Sequence, residues 1–239
     1  MRSNQPGTEL SLAIGVIVAS LILTFGLYAS IEKFKQFERV VRVKGLSERE
    51  FKADVVIWPI QFVSASNNLE GLYEQMEANA DKIRAYLLLN GLAAEELSQS
   101  APAITDRSAQ QYGNNDGKVY RYTAEQTVTV YSNRVDEVRA LMSSLSDLGK
   151  QGIVFVGNSY QSQVEFLFNR LNEVKPAMIE EATKKAREVA QKFAQDSQSE
   201  LGKIKHASQG QFSIRARDKN NPHIKIVRVV TTVEYYLSD

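Results

Sequence analysis

His206 and His223 are the only imidazoles in the chain, and cysteine is absent. That removes disulfides, thiolate nucleophiles, iron–sulfur clusters and thiolate zinc sites from the available chemistry. A metal site would need both imidazoles to converge with carboxylates. The two lie far apart in sequence and next to strand ends or turns, so each is expected as a surface imidazole. Glu180 and Glu181 precede Lys184 and Lys185 by four residues, the spacing of ion pairs on a helix surface worth about 0.2–0.5 kcal/mol each. Adjacent helical positions do not supply the cleft that a catalytic carboxylate pair needs, so these four side chains are expected on a solvated face. GxGxxG, GxxxxGKS or GxxxxGKT, HExxH, GxSxG and DxDxDG strings are all missing. No catalytic, cofactor-binding or metal-ligating residue is therefore assigned. Basic residues gather late, at Lys203, Lys205, Arg215, Arg217, Lys219, Lys225 and Arg228, against Asp218, Glu234 and Asp239. If the last two strands form a hairpin, this group is either a positive patch for lipid head groups or an acidic partner, or the charge that protects an edge strand.

The 239 residues carry 29 Lys+Arg and 28 Asp+Glu, a formal net charge of +1. A balance this close to zero lacks the basic field of a nucleic-acid binder, and 43% hydrophobic residues is too rich for a disordered chain. The composition is that of one globular domain or two small ones.

From Leu10 to Ile31 run 22 residues without a charge, between Glu9 and Glu32. A helix of that length spans roughly 33 Å, enough for a hydrocarbon core of about 30 Å. Twelve of the 22 are Leu, Ile, Val or Phe, which at roughly −0.3 to −0.6 kcal/mol each favours insertion by about 5 kcal/mol before the small polar residues subtract some. The alternatives are a cleaved signal peptide and a buried core helix. A signal peptide has a shorter apolar region, about 7–15 residues, and small residues before the cut. The exit here reads Leu27, Tyr28, Ala29, Ser30, and a cut after Ser20 would leave Leu21, Ile22 and Leu23 at a new terminus. An uncleaved transmembrane anchor is the expectation, with the lipid bilayer as its partner through Leu10 to Ile31. Gly15 and Gly26 stand too far apart for a GxxxG face. Arg2 is the one basic residue before the span, while Lys33, Lys35, Arg39, Arg42 and Lys44 follow it. Taken literally, the positive-inside bias puts the carboxyl-terminal bulk in the cytoplasm, but the bias weakens for a long translocated domain.

After Ile31 no second apolar run approaches membrane length, and the pattern alternates between the strand and helix periods. Val40 to Gly45 reads as a short strand. Phe51 to Val63 is apolar on both faces, with Pro59 suggesting a bulge or a sheet edge. Asn67 or Asn68 can cap a helix carrying Leu69, Leu72, Tyr73, Met76, Ala80, Ile83 and Leu87, stopped at Gly91. Leu97 to Asp106 and Val119 to Tyr131 flank a polar tip, Tyr112 to Gly117, with hairpin chemistry. The second of these strands alternates Tyr120, Tyr122, Ala124, Val128 and Val130 with polar residues. Asn133 is placed to cap a helix through Val135, Val138, Leu141, Met142, Leu145 and Leu148, ended by Gly149. A strand from Ile153 to about Phe166 follows, then a helix from about Phe168 to Leu201, which at Pro176 either starts or kinks. Ala182, Ala186, Ala190 and Ala194 form a row every four residues that suits close packing in the core or, alternatively, a subunit contact. Strands from Lys203 to Ala216 and Ile224 to Leu237 close the chain around the polar turn 218–222.

These elements define an α+β fold: two strand-helix-strand-strand units, Phe51 to Tyr131 and Ile153 to Leu237, with the Asn133 to Leu148 helix between them and one transmembrane helix in front. Helices would cover one face of largely antiparallel sheets. The order of elements repeats, while the residues do not.

Several local strings, in this order, resemble the SIMPL domain. They are Val41-Arg42-Val43-Lys44-Gly45, Ala53-Asp54-Val55-Val56, Leu87 to Gly91, and Tyr120-Arg121-Tyr122-Thr123-Ala124 before Val128. Ala182-Thr183-Lys184-Lys185-Ala186 with Val189-Ala190 and Leu201-Gly202-Lys203-Ile204 complete the set. The resemblance runs from about Val40 to Leu237. It implies a bacterial envelope protein of unknown function, with its domain on the periplasmic side of the inner membrane, self-associating and linked to stress resistance. It supplies no catalytic residues.

The expected organisation is a short tail at 1–9, an anchor at 10–31, a linker at 32–39 and a SIMPL-like domain at 40–239. The expected function is a non-catalytic, membrane-anchored interaction or assembly module that forms a homo-oligomer through strand edges or the alanine row. It has no cofactor and no nucleic-acid partner, and its protein partner is not identified. The competing expectations are an envelope enzyme with an unlocated carboxylate-based site and a cytoplasm-facing adaptor.

Overall fold

The computed structural model describes residues 15, 17–26, 39–109, 120–157 and 162–238. Residue 15 and residues 17–26 are helical. The rest of the expected anchor, residues 10–14, 16 and 27–31, lies outside the described residues, as do the tail at 1–9 and the polar tip at 112–117. Among the described residues no helix is long and apolar enough to cross a membrane.

From residue 39 onward the described chain is a mixed α+β structure of ten strands and four α-helices. The order is β1 (Val40–Lys52), β2 (Val55–Ser66), α1 (Leu69–Leu89), β3 (Leu97–Gln99), β4 (Ala103–Asp106), β5 (Tyr122–Ser132), α2 (Val135–Ser144) and α3 (Ser146–Gly149). It continues with β6 (Val154–Phe155), β7 (Glu165–Leu167), α4 (Leu171–Asp196), β8 (Glu200–Gln209), β9 (Ser213–Ala216) and β10 (Ile224–Ser238). One sheet has the order β1-β10-β8, with β9 also on β10; the other has the order β3-β5-β2-β6, with β4 on β5 and β7 on β2.

The two expected halves of the chain are not its compact units. One unit comprises residues 1–48, 175–213 and 228–239, and the other 49–174 and 214–227. The division falls within β1 and within β10. The physical reason is strand pairing: β6 and β7 pair antiparallel with β2 of the first expected half, whereas β8 pairs antiparallel with β10.

In the unit built on residues 49–174, β2 and β5 pair in unbroken antiparallel register from Val56↔Ser132 to Ser66↔Tyr122. Pro59 therefore causes no bulge. It stands between the β2 residues paired with β7 (55–57) and those paired with β6 (62–63), the stretch where no strand partner occupies that side among the described residues. Trp58, Ile60 and Phe62 share one face and are buried with Leu72, Met76, Ile83 and Leu87 of α1. The 3.6 period of α1 made its apolar stripe legible, and Asn68 caps it, accepting from the Glu70 and Gly71 amides. Gly91 follows at φ +93°, a backbone state that favours glycine. Two boundaries differ from the sequence pattern. The cap position of α2 is Arg134 rather than Asn133, with the Ser132 hydroxyl accepting from the Arg134 amide at 3.0 Å. The single strand expected over Ile153 to Phe166 is two short ones, β6 and β7, each held by a different part of β2.

In the other unit, the alanine row is core. Ala182, Ala186, Ala190 and Ala194 are all buried, and Ala186 and Ala190 pack with Val43, Val233 and Tyr235. A β-carbon on Gly45 of β1 would lie 1.8 Å from the Ala182 carbonyl oxygen, so small residues on both elements bring backbone against backbone. This overturns the subunit-contact alternative for the row. The helix starts at Leu171, five positions ahead of Pro176.

Candidate functional site

The best-formed cleft in the unit containing residues 49–174 and 214–227 encloses about 800 Å³, lined among others by Lys52, Asp54, Arg134, Asp136, Arg170 and His223. Four separate chain segments supply these residues: 52–55, 131–137, 169–170 and 223.

Asp54 sits in the two-residue link between β1 and β2. Its carboxylate accepts from the Asn169 amide at 2.9 Å, the Arg170 amide at 3.1 Å and the Arg170 guanidinium at 3.2 Å. One side chain thus pins the turn that enters α4, satisfying amide donors that the helix itself cannot reach. Lys52 donates to Asp136 at 3.0 Å, with Arg139 3.8 Å from the same carboxylate. The hydrogen bond and charge of Lys52 hold the Asp136 carboxyl below its usual range. Arg134 bridges Glu96 and Glu137 and also donates to the Gly91 carbonyl at 2.9 Å. Burial pushes the Glu96 carboxyl up, but hydrogen bonds from Arg134, the Ser132 hydroxyl and the Ala93 amide outweigh it and bring it to about 2.

His223 is 7% exposed, which corrects the expectation of a surface imidazole. Its ring meets Phe166 edge to face with centroids 6.0 Å apart, and its carbonyl accepts from the Ala53 amide at 2.8 Å. Its Nδ1 is buried without a hydrogen-bond partner. Burial pushes the ring's pKa down, with Arg139, Arg217 and Lys52 adding to the effect and Asp136 opposing it. The imidazole is therefore neutral near pH 7.

Among the described residues no hydrogen bond links these carboxylates to the His223 ring. The carboxylates of Asp54, Asp136 and Glu96 each accept from a cation. Among the described residues His223 has no carboxylate bonded to its ring to fix a tautomer, as general-base chemistry ordinarily requires. The cleft wall carries charges of both signs, held in ion pairs.

His206 lies exposed on β8, opposite Glu234 of β10, and belongs to the other unit. Glu181 and Lys185 form the expected ion pair at 2.7 Å, and Glu181 also accepts from Ser47 at 2.9 Å. Glu180 and Lys184 are exposed, as the solvated-face reading requires. The late basic residues divide: Lys203, Lys205 and Arg228 fall in one unit, Arg215, Arg217, Lys219 and Lys225 in the other. Arg217 pairs with Asp218 at 2.9 Å and Glu50 at 3.5 Å, Arg228 approaches Glu48 at 3.9 Å, and Lys205 lies over the Tyr236 ring. On β8 the register against β10 shifts twice, between the partners of Glu234 and Tyr235 and between those of Tyr235 and Leu237. Bulges and lysines together are the usual means of blunting an edge strand, and this favours the edge-protection alternative for Lys203 and Lys205.

The structure defines a two-sheet α+β protein whose cleft is an ion-pair network. Residues 41–229 match the family model SIMPL, described as a protein of unknown function (DUF541). That span exceeds half of the chain, and the chain belongs to the SIMPL family. No curated protein matches it.

Proposed function

We propose that this chain is a membrane-tethered module of the bacterial envelope that works by interaction and self-association rather than by catalysis. The observation that carries the tether is the N-terminal helical stretch. Ile17, Leu21, Ile22, Leu23 and Phe25 are each more than half exposed, at 58–75%, and they lie within the uncharged run Leu10 to Ile31. Side chains of this size left bare on a helix call for an apolar surrounding, which a bilayer supplies. The non-catalytic reading draws support from the cleft, where each buried or half-buried carboxylate is committed to a cation and the one buried imidazole has no orienting acid. A periplasmic position for the folded part follows the family resemblance, as does the link to stress resistance.

The test is to express the full chain in bacterial cells, spin the lysate at high speed and wash the pellet with carbonate. Protease treatment of cells with a permeabilised outer membrane follows. The expected result is a chain that stays in the washed pellet and whose folded part is clipped. A chain in the supernatant overturns the tether. A chain in the pellet that resists clipping places the folded part in the cytoplasm, the adaptor alternative.

A further inference from the structure

The β1-β10-β8 sheet has two outer edges, and they differ in kind. The β8 edge carries two register shifts and the lysines Lys203 and Lys205. The β1 edge carries a self-complementary charge pattern. In β1 the even-numbered positions share one face, because side chains alternate along a strand. Gly45 and Ser47 occupy the opposite face, toward α4: the Gly45 α-carbon lies against the Ala182 backbone and the Ser47 hydroxyl bonds Glu181. The other face therefore reads Arg42, Lys44, Leu46, Glu48, Glu50. All five are exposed, with Leu46 at 39%; Glu48 and Glu50 also face Arg228 at 3.9 Å and Arg217 at 3.5 Å, exposed pairs that each engage one carboxylate oxygen and are worth little. Two cations precede the leucine, and two carboxylates follow it at mirrored distances.

An antiparallel strand pair about a two-fold axis sets one residue opposite its own copy and pairs those equally far on either side. Centred on Leu46, that register places each Lys44 opposite a Glu48 and each Arg42 opposite a Glu50, so four ion pairs flank a leucine–leucine contact. Centring on Gly45 matches Arg42 with Glu48 alone. Centring on Ser47 pairs Lys44 with Glu50 but sets Arg42 against Lys52. Among the described residues no strand occupies the outer edge of β1.

We propose that the outer edge of β1 is the surface on which a second copy of this chain docks, strand to strand, in antiparallel register centred on Leu46. The inference rests on the self-association reading above and names its contact. Backbone hydrogen bonds across the new pair supply cohesion, and the mirrored charges choose the register and the partner.

The test uses the full chain in detergent, with mass measured by light scattering during size exclusion. The wild type is expected to contain dimer-based species, while Lys44→Glu and Glu48→Lys each weaken association by about tenfold or more, since each reversal puts like charges opposite each other twice. The double variant carrying both substitutions restores the opposite pairing and regains the wild-type mass. A second readout is independent of charge. The chain has no native cysteine, and paired strands bring opposite α-carbons to about 4.5–5.5 Å, within disulfide reach. Leu46→Cys is therefore expected to form a covalent dimer under mild oxidation, and Lys52→Cys, whose copies are far apart in this register, is not. An associating wild type whose mass is unchanged in both single variants, or whose Leu46→Cys form stays monomeric under oxidation, overturns the β1 contact alone. A wild type that is monomeric at every concentration overturns self-association as well.

Discussion

His223 is an imidazole folded into a place where its charged form is disfavoured. Burial lowers its pKa from 6.5, and the cations Arg139, Arg217 and Lys52 act in the same direction. A lowered value means that the unfolded chain takes up this proton first as the solution is acidified. The contribution of the neutral ring to stability is thus complete above about pH 6.5 and is lost as pH falls through and below that value. Urea unfolding of wild type and His223→Gln at steps from pH 7.5 to 5 is expected to show a steeper loss in the wild type. Equal slopes would show that the ring is not protected as described. Glu96 acts with the same sign in a lower window: held at about 2, it stabilises the fold in full above its unfolded value of 4.5, and that contribution is lost as pH falls toward about 2. None of this was legible locally. His223 follows Pro222 in a polar turn, which reads as surface, and only the packing of Phe166 and the chain link at Ala53 bury it.

At the scale of elements, the decisive contact in the unit containing α4 is the approach of that helix to β1. Ala182, Ala186 and Ala190 remove side-chain bulk from the helix, and Gly45 removes it from the strand. Gly45→Ala would put a methyl 1.8 Å from the Ala182 carbonyl oxygen and 2.6 Å from the Ala186 nitrogen, both backbone atoms of one helix turn. The helix as a whole must then shift, at a cost of about 3 kcal/mol. A thermal melt of Gly45→Ala is the check, and an unchanged melting temperature would mean that the helix does not sit on β1 as described. The row of alanines was visible as a pattern, but spacing alone cannot say whether small residues meet a sheet of the same chain or another subunit. Elements with a strong period were readable: α1 with its Asn68 cap and Gly91 stop, and β5 with alternating burial. The short strands β6 and β7 were not, because two or three residues carry no period and owe their conformation to the β2 edge that they occupy.

At the scale of the whole molecule, the proposed tether assigns the uncharged run Leu10 to Ile31 an insertion energy of roughly −5 kcal/mol on the translocon scale. An arginine at the centre of such a helix costs about 2.5–3.5 kcal/mol, so two reverse the sign. The double variant Leu21→Arg, Ile22→Arg is expected to move the chain from the carbonate-washed pellet to the supernatant with its fold intact by circular dichroism. Retention in the pellet would mean that something other than this run holds it there. By itself the sequence determined the α+β class, the long helices and their apolar stripes, the family resemblance and the greasy amino-terminal run, since each depends on periodicity or composition along a continuous stretch. Only the tertiary structure decided how the strands divide between two sheets and which side chains from four distant segments meet in one cleft. Long-range pairing fixed both, because the sheet register and the burial of a single imidazole depend on partners that no local pattern names.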